Sequence, residues 1–159
     1  MDGETVIIGI GNERRRDDGV GLAVARLLAA GELPPGVRVE EARDGFDLAA
    51  ELEGAARAII IGAAKLGAPP GSIHVLSPAD AEARADYLSA PGEMTLIDAL
   101  EMAALVGAAP KALIVGVEPA EIVPGHTLSR DVERSVRAAA EVTLELARDD
   151  GAWRGLGPT

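Results

Sequence analysis

Two adjacent carboxylates, Asp17 and Asp18, follow a glycine-rich loop near the start of the chain. The loop begins at residues 9–12 (Gly-Ile-Gly-Asn), after the apolar run at residues 6–8, and an apolar-periodic segment begins at Val20. Open α/β sheets bind ligands where a strand ends and a helix begins. A helix N-terminus there usually attracts an anion. Two carboxylates at this point would instead repel a phosphate and attract a cation.

The acidic pair also has more ordinary interpretations. One of the two carboxylates can cap the helix that follows, and the neighbouring arginines, Arg14 to Arg16, can neutralise the other. The glycines could begin a dinucleotide-binding fingerprint, but Arg14 stands where the third glycine of that motif should be. The residue types alone therefore leave a cation site and a solvated loop equally open.

Few other residues offer recognisable chemistry. The chain has no cysteine, which excludes a thiolate nucleophile, a disulfide and an iron–sulfur cluster. Its two histidines are His74, in a predicted strand, and His126, in the loop before the last helix. No HExxH motif and no nucleophile elbow is present.

Composition limits the classes of partner. The 159 residues carry a formal net charge of −11 and only three aromatic side chains. A nucleic acid would be repelled by this charge and would find few rings on which to stack its bases. No basic leader and no apolar run of membrane-spanning length is present, so we expect a cytoplasmic protein that binds neither nucleic acid nor membrane.

Strands and helices alternate along the whole sequence. Apolar runs predict strands at residues 4–11, 37–39, 58–61, 73–76 and 113–117, the fourth of them at an edge of the sheet. Helical periodicity follows most of them. This order predicts a single doubly wound, mostly parallel sheet of about five strands with helices on both faces. We expect one domain over residues 1–148 and a flexible tail over residues 149–159.

The ordered motifs resemble those of a known family. Residues 9–12 and 17–21 are similar to the opening signature of the hydrogenase maturation endopeptidases. The similarity continues through five further segments: Gly45 with Leu48; residues 59–61; residues 70–73; residues 91–100; and residues 115–119 with Leu128 and Ser129. The match extends to about residue 147, and the ordered set is more specific than any one segment.

The resemblance implies an enzyme that acts on a metalloprotein. Members of the family recognise nickel already inserted into the large subunit of a [NiFe] hydrogenase and cut off a short C-terminal peptide. The expected partner is therefore a large-subunit precursor, and the expected metal is nickel supplied by that substrate.

The resemblance also assigns metal-contacting positions. The family uses an acid in the first loop, an Asp at the end of the third strand and a His before the fourth helix. In this chain the first position is Asp18, whereas the other two are Gly62 and Gly92. Glu93, beside the second of these glycines, is a possible substitute ligand. The family's Gly-Gly-Thr segment before the second helix is replaced by residues 41–43 (Glu-Ala-Arg).

Three hypotheses follow for the function. The first is an active endopeptidase that uses Asp18 with rearranged ligands. The second is a catalytically impaired homologue that binds the large-subunit precursor without cleaving it. The third is a small-molecule-binding α/β protein. Asn12, Asp17 and His126 are candidates for contact with the substrate.

Overall fold

Five strands form one sheet in this computed structural model, which describes residues 3–84 and 96–156. The strands are β1 (Thr5–Ile10), β2 (Val37–Ala42), β3 (Arg57–Ala63), β4 (Ile73–Leu76) and β5 (Lys111–Val117). Their order across the sheet is β2-β1-β3-β5-β4. All neighbouring pairs are parallel except β4 with β5. The predicted mostly parallel sheet is confirmed, and so is the edge position of its fourth strand.

Helices cover both faces of the sheet. They are α1 (Val20–Ala29), α2 (Gly45–Glu51), α3 (Pro78–Arg84), α4 (Leu96–Leu105) and α5 (Arg130–Arg148). Alternate side chains of a strand point to opposite faces, so the apolar run of β1 serves two separate cores. Val6 and Ile8 pack with α2, α3 and α4, whereas Ile7 packs with α1 and α5.

The direction in which the chain crosses the sheet reverses at β1. Helix α1 leads from β1 to β2 on one face, and α2 leads from β2 to β3 on the other. Strand β1 therefore lies between β2 and β3, and its carboxyl end is the topological switch point at which such folds bind ligands. The loop that carries Asp17 and Asp18 begins at this point.

The segment after α5 is packed against the fold, so the expectation of a flexible tail from residue 149 is wrong for residues 149–156. A 3-10 turn at Asp150–Trp153 places the indole of Trp153 in the core with 1% of its surface exposed. Its ring nitrogen donates to the Leu146 carbonyl at 2.9 Å. The guanidinium of Arg57 lies 5.0 Å from the ring centroid and is paired with Asp150 at 2.8 Å. Residues 157–159 lie outside the described residues.

Within the described part of the chain, no helix combines the length and the apolar character needed to cross a membrane.

Candidate functional site

The glycines of the first loop allow α1 to approach the sheet closely. A Cβ atom on Gly21 would lie 2.1 Å from the Ile61 carbonyl oxygen, and one on Gly9 would lie 2.2 Å from the Gly21 carbonyl oxygen. No side chain fits at either position, so backbone meets backbone where β1, β3 and α1 converge. This packing accounts for these two glycines without a bound nucleotide.

Asp17 joins two loops that are distant in sequence. Its carboxylate is fully buried and accepts four hydrogen bonds: the backbone N–H groups of Ala120, Glu121 and Ser129, and the Ser129 hydroxyl, at 2.7–2.9 Å. All four donors belong to the β5–α5 loop (residues 118–129). Burial alone would raise the pKa of Asp17, but these hydrogen bonds outweigh burial and hold the pKa below its ordinary value.

The expectation that one of the two acids caps the following helix is wrong. The N-cap residue of α1 is Gly19, and no side chain caps the helix. Asp17 instead uses its oxygens on the β5–α5 loop, because that loop presents several backbone donors to a carboxylate that no water reaches. Its burial favours a role in holding this loop over direct contact with a substrate, for which it was a candidate.

Asp18 lies beside Asp17 in a different environment. It is half-buried in the 3-10 turn Arg16–Gly19, which packs against β3. Its Oδ2 accepts the backbone N–H of Asn12 at 2.9 Å. Gly11 passes so close that a Cβ there would lie 1.9 Å from the Asp18 carbonyl oxygen. The position of Asp18 is thus closely constrained by Gly11, by Asn12 and by the packing of its turn against β3.

Arg16 adds a second connection between the first loop and the β5–α5 loop. It is the one residue other than glycine in the described chain with a positive φ, at 49°. Its backbone N–H donates to Gly125, and its guanidinium contacts the Thr127 carbonyl and the Glu121 carboxylate. A left-handed backbone conformation costs an arginine about 1 kcal/mol or more, and these contacts together hold Arg16 in it.

The structure brings two of the three resemblance-assigned metal positions to the same end of the sheet. Gly62 lies near the carboxyl end of β3, the strand against which the turn of Asp18 packs. A Cβ on Gly62 would lie 3.2 Å from the Ile10 side chain, at the end of β1. Gly92 and Glu93 lie outside the described residues. Within residues 3–84 and 96–156, no three His, Cys, Asp or Glu side chains are grouped so as to hold a metal ion.

The two histidines lie in different places. His126 is exposed on the β5–α5 loop that Asp17 holds. His74 is half-buried in β4, with its Nε2 3.9 Å from the buried carboxylate of Glu118. Glu118 accepts backbone N–H groups of Leu66 and Ala68 at 2.9–3.2 Å and so fixes the loop that follows β3.

A cavity of about 500 Å³ opens beside Asp18 and was not predicted from the sequence. Most of its lining is charged or polar, contributed by the first loop, the first turns of α1, the end of β2 and the start of α2. The lining residues are Gly11, Asn12, Glu13, Arg14, Leu22, Arg26, Glu41, Arg43 and Asp47. The positions of the strand ends in the sequence do point to this location, because the carboxyl ends of neighbouring parallel strands meet at one edge of the sheet.

A sequence model of a family described as hydrogenase maturation protease matches residues 23–146. The chain belongs to this family. The matched segment begins just after Asp18 and extends nearly to the end of α5, so membership rests on most of the fold. Among curated proteins, no sequence matches the chain.

Solved structures of maturation proteases share the fold along nearly the whole chain. The hydrogenase maturating endopeptidase HybD from Escherichia coli is 24% identical, with a TM-score of 0.78, and the match covers 98% of this chain and 96% of that one. The [NiFe] hydrogenase maturation protease HybD from Thermococcus kodakarensis is 28% identical, with a TM-score of 0.73 and coverages of 91% and 99%. A hydrogenase 2 maturation peptidase from a Thaumarchaeota archaeon is 27% identical, with a TM-score of 0.67 and coverages of 91% and 98%.

Proposed function

We propose that this chain is a cytoplasmic endopeptidase that removes the C-terminal extension of a nickel-loaded [NiFe] hydrogenase large subunit. Family membership supports the reaction class. The observation that carries the proposal is the place of Asp18. Its carboxylate lies at the switch point of the sheet, in a turn fixed by Asn12, Asp17 and the β5–α5 loop.

The nickel in this proposal belongs to the substrate. A carboxylate oxygen is a suitable ligand for a divalent metal, and imidazole, carboxylate and thiolate ligands all bind nickel. Asp18 supplies one such oxygen from a preorganised turn. One carboxylate would bind free nickel weakly, so the precursor must bring the metal with most of its ligands. Contact between Asp18 and that metal would then position the adjoining peptide at the mouth of the sheet.

One observation favours a second candidate, a homologue that binds the precursor without cleaving it. Gly62 offers no side chain at a position where the resemblance expects a metal ligand. A site with fewer protein ligands holds the substrate's metal less firmly, and positioning within about 1 Å can change a catalytic rate by two orders of magnitude. Binding can survive such a loss when cleavage does not.

The decisive experiment uses a C-terminally extended large subunit, purified with and without nickel. We expect the wild-type chain to shorten only the nickel-loaded form, as read by intact-mass spectrometry. Asp18→Asn keeps the size of the side chain but weakens its affinity for a cation, and should slow cleavage by at least about tenfold. Glu82→Gln, on the exposed face of α3, is the matched control and should cleave normally.

The outcomes separate the candidates. Binding of the precursor without any shortening would refute the endopeptidase and support the binding homologue. Absence of both binding and shortening would refute both. Cleavage that is equally fast with Asp18→Asn would contradict the proposed contact with nickel.

A further inference from the structure

We propose that the cavity beside Asp18 is a carboxylate-binding subsite, in which Arg14 and Arg43 hold an acidic group of the polypeptide being processed. The inference rests on the proposed function and goes beyond it, because it assigns residues that recognise the substrate away from the metal.

The cavity is placed to receive a segment next to the metal-contacting position. Asn12 lines it, and the backbone N–H of the same residue donates to Asp18 at 2.9 Å. The volume of about 500 Å³ falls within the range of roughly 300–1,000 Å³ found for ligand pockets. A polypeptide whose metal lies at Asp18 would therefore have several neighbouring residues within reach of the cavity.

The charged groups of the lining divide into paired and unpaired ones. Arg26 is held by two carboxylates, Glu13 at 2.8 Å and Glu41 at 3.0 Å. Its hydrogen bond with Glu13 is the main reason that the pKa of Arg26 lies above its ordinary value. Arg26 is thus fully neutralised by the protein itself.

The other two guanidinium groups have no such partner. Within the part of the chain that the structure describes, neither Arg14 nor Arg43 forms an ion pair, and both are exposed. The remaining lining acid, Asp47, directs its Oδ2 at the backbone N–H of Arg43, at 3.0 Å, rather than at a guanidinium. Arg14 and Arg43 both line the cavity together with Glu13. The pKa of Glu13 is lowered first by its hydrogen bond with Arg26 and further by the positive charges of Arg43 and Arg14.

The charge balance selects a carboxylate over a phosphate. Three arginines and three acids line the cavity, and the acids repel any anion, so a singly charged carboxylate is repelled less than a dianionic phosphate. A single carboxylate matches the two unpaired guanidinium groups, whose planar N–H groups can bind it in bidentate fashion. On a chain with a net charge of −11, an acidic substrate would otherwise be repelled.

Two sources of that carboxylate are possible: an Asp or Glu side chain of the C-terminal extension, or the terminal carboxylate of that extension. Peptides with the sequence of the extension distinguish them. One peptide has a free terminus and its acids intact, one has an amidated terminus, and one has its acids replaced by Asn and Gln. Each carries a fluorescent label, and binding is read by anisotropy.

The protein variants test the two arginines. In Arg14→Gln/Arg43→Gln we expect KM for the nickel-loaded precursor to rise by about ten- to a hundredfold with kcat nearly unchanged, as loss of charge-assisted hydrogen bonds predicts. Arg84→Gln, an exposed arginine on α3, is the matched control and should not change KM. The double lysine variant Arg14→Lys/Arg43→Lys should restore part of the affinity for the precursor. Lysine keeps the positive charge but cannot bind a carboxylate in bidentate fashion. Thermal unfolding should match the wild type, since both side chains are exposed.

Each outcome decides the proposal. Loss of binding with the amidated terminus supports the terminal carboxylate, and loss with the acid-free peptide supports a side chain. Equal binding of all three peptides, or an unchanged KM in the double glutamine variant, would overturn the subsite. If no precursor is cleaved, the proposed function fails, and the peptide measurements still decide the subsite independently.

Discussion

Asp17 and Ser129 are joined by two hydrogen bonds. One carboxylate oxygen of Asp17 accepts the backbone N–H of Ser129 at 2.7 Å, and the other accepts its hydroxyl at 2.8 Å. The two residues stand 112 positions apart in the chain. Ser129 is the N-cap residue of α5 but does not cap the helix with its side chain, because its hydroxyl is used on Asp17. This contact holds the start of α5 against the turn that presents Asp18.

Replacing Asp17 should destabilise the fold strongly. Asp17→Asn keeps the volume but points an amide N–H₂ at donors, so at least one buried N–H or hydroxyl loses its acceptor. We expect a loss of about 2–4 kcal/mol in the free energy of unfolding, as for buried hydrogen bonds to a charged group. Urea denaturation measures it, with the exposed Glu101→Gln as the control. An Asp17→Asn protein as stable as wild type would contradict the assigned bonds.

The pH dependence of stability should report on the same carboxylate. The pKa of Asp17 in the folded chain lies below the ordinary value of 3.8. A depressed folded-state pKa adds stability above the unfolded pKa, and that stability is lost as the pH falls through the folded pKa. The stability difference between wild type and Asp17→Asn should therefore be constant near neutrality and shrink below about pH 4. A difference that stays constant down to pH 2 would contradict the shift.

Substitution by aspartate should destabilise the fold to different extents at two glycines that are paired in the sheet. Gly62 is paired with Gly116 on β5. A Cβ on Gly62 would lie 3.2 Å from the Cγ2 of Ile10 and 3.4 Å from its carbonyl oxygen, whereas one on Gly116 would lie 2.6 Å from the Cβ of Ala64. Gly62→Asp should therefore cost about 1 kcal/mol or less, and Gly116→Asp about 2 kcal/mol or more. Differential scanning calorimetry compares them.

The same substitution tests whether this end of the sheet can contact a metal. If Gly62 and Asp18 face one site, Gly62→Asp should bind nickel more tightly than the wild type, and Gly62→Asp/Asp18→Ala should lose the gain. Isothermal titration with nickel chloride measures both. An identical affinity for the single and double variants would show that the two positions do not share a metal.

Close approach between α1 and the sheet predicts a further contrast. Gly21→Ala would bring a methyl group within 2.1 Å of the Ile61 carbonyl oxygen, so α1 must shift away from β3. We expect a loss of about 3 kcal/mol or more, the range of severe overpacking. Gly31→Ala, where the nearest atom is 3.8 Å away, should be neutral or slightly stabilising. Melting temperatures of the two variants decide this, and equal values would contradict the packing.

The fold could be predicted from local sequence patterns, but the hydrogen bonds that join distant loops at the site could not. Apolar runs such as residues 58–61 identify strands because a strand buried on both faces needs a continuous run. The acceptor role of Asp17 was missed because a cap is a local arrangement, whereas its four donors come from a loop more than 100 positions away. Trp153 was assigned to a flexible tail because the polar, glycine-rich sequence around it hides the burial of a single large side chain.

The cavity likewise depends on contacts between residues that are distant in sequence. Arg14 and Arg43 stand on separate loops in the sequence, and their meeting depends on the parallel pairing of β1 with β2. The positions of the strands were predicted, but which strands are neighbours was not. Pairing order therefore decides which charged residues share a site.

The span of the Asp17–Ser129 contact also constrains how the protein folds. Strands β1, β2 and β3 can associate through contacts between residues closer in sequence. The Asp17 carboxylate beside Asp18, however, has none of its four hydrogen-bond donors until β5 is in the sheet and the chain has reached Ser129. Contacts between distant residues form late, because the entropy of closing the loop must be lost first. A chain still emerging from the ribosome, or one that has not docked α5, would therefore hold Asp18 loosely. Competence for the substrate is thus acquired last, in the fully folded molecule.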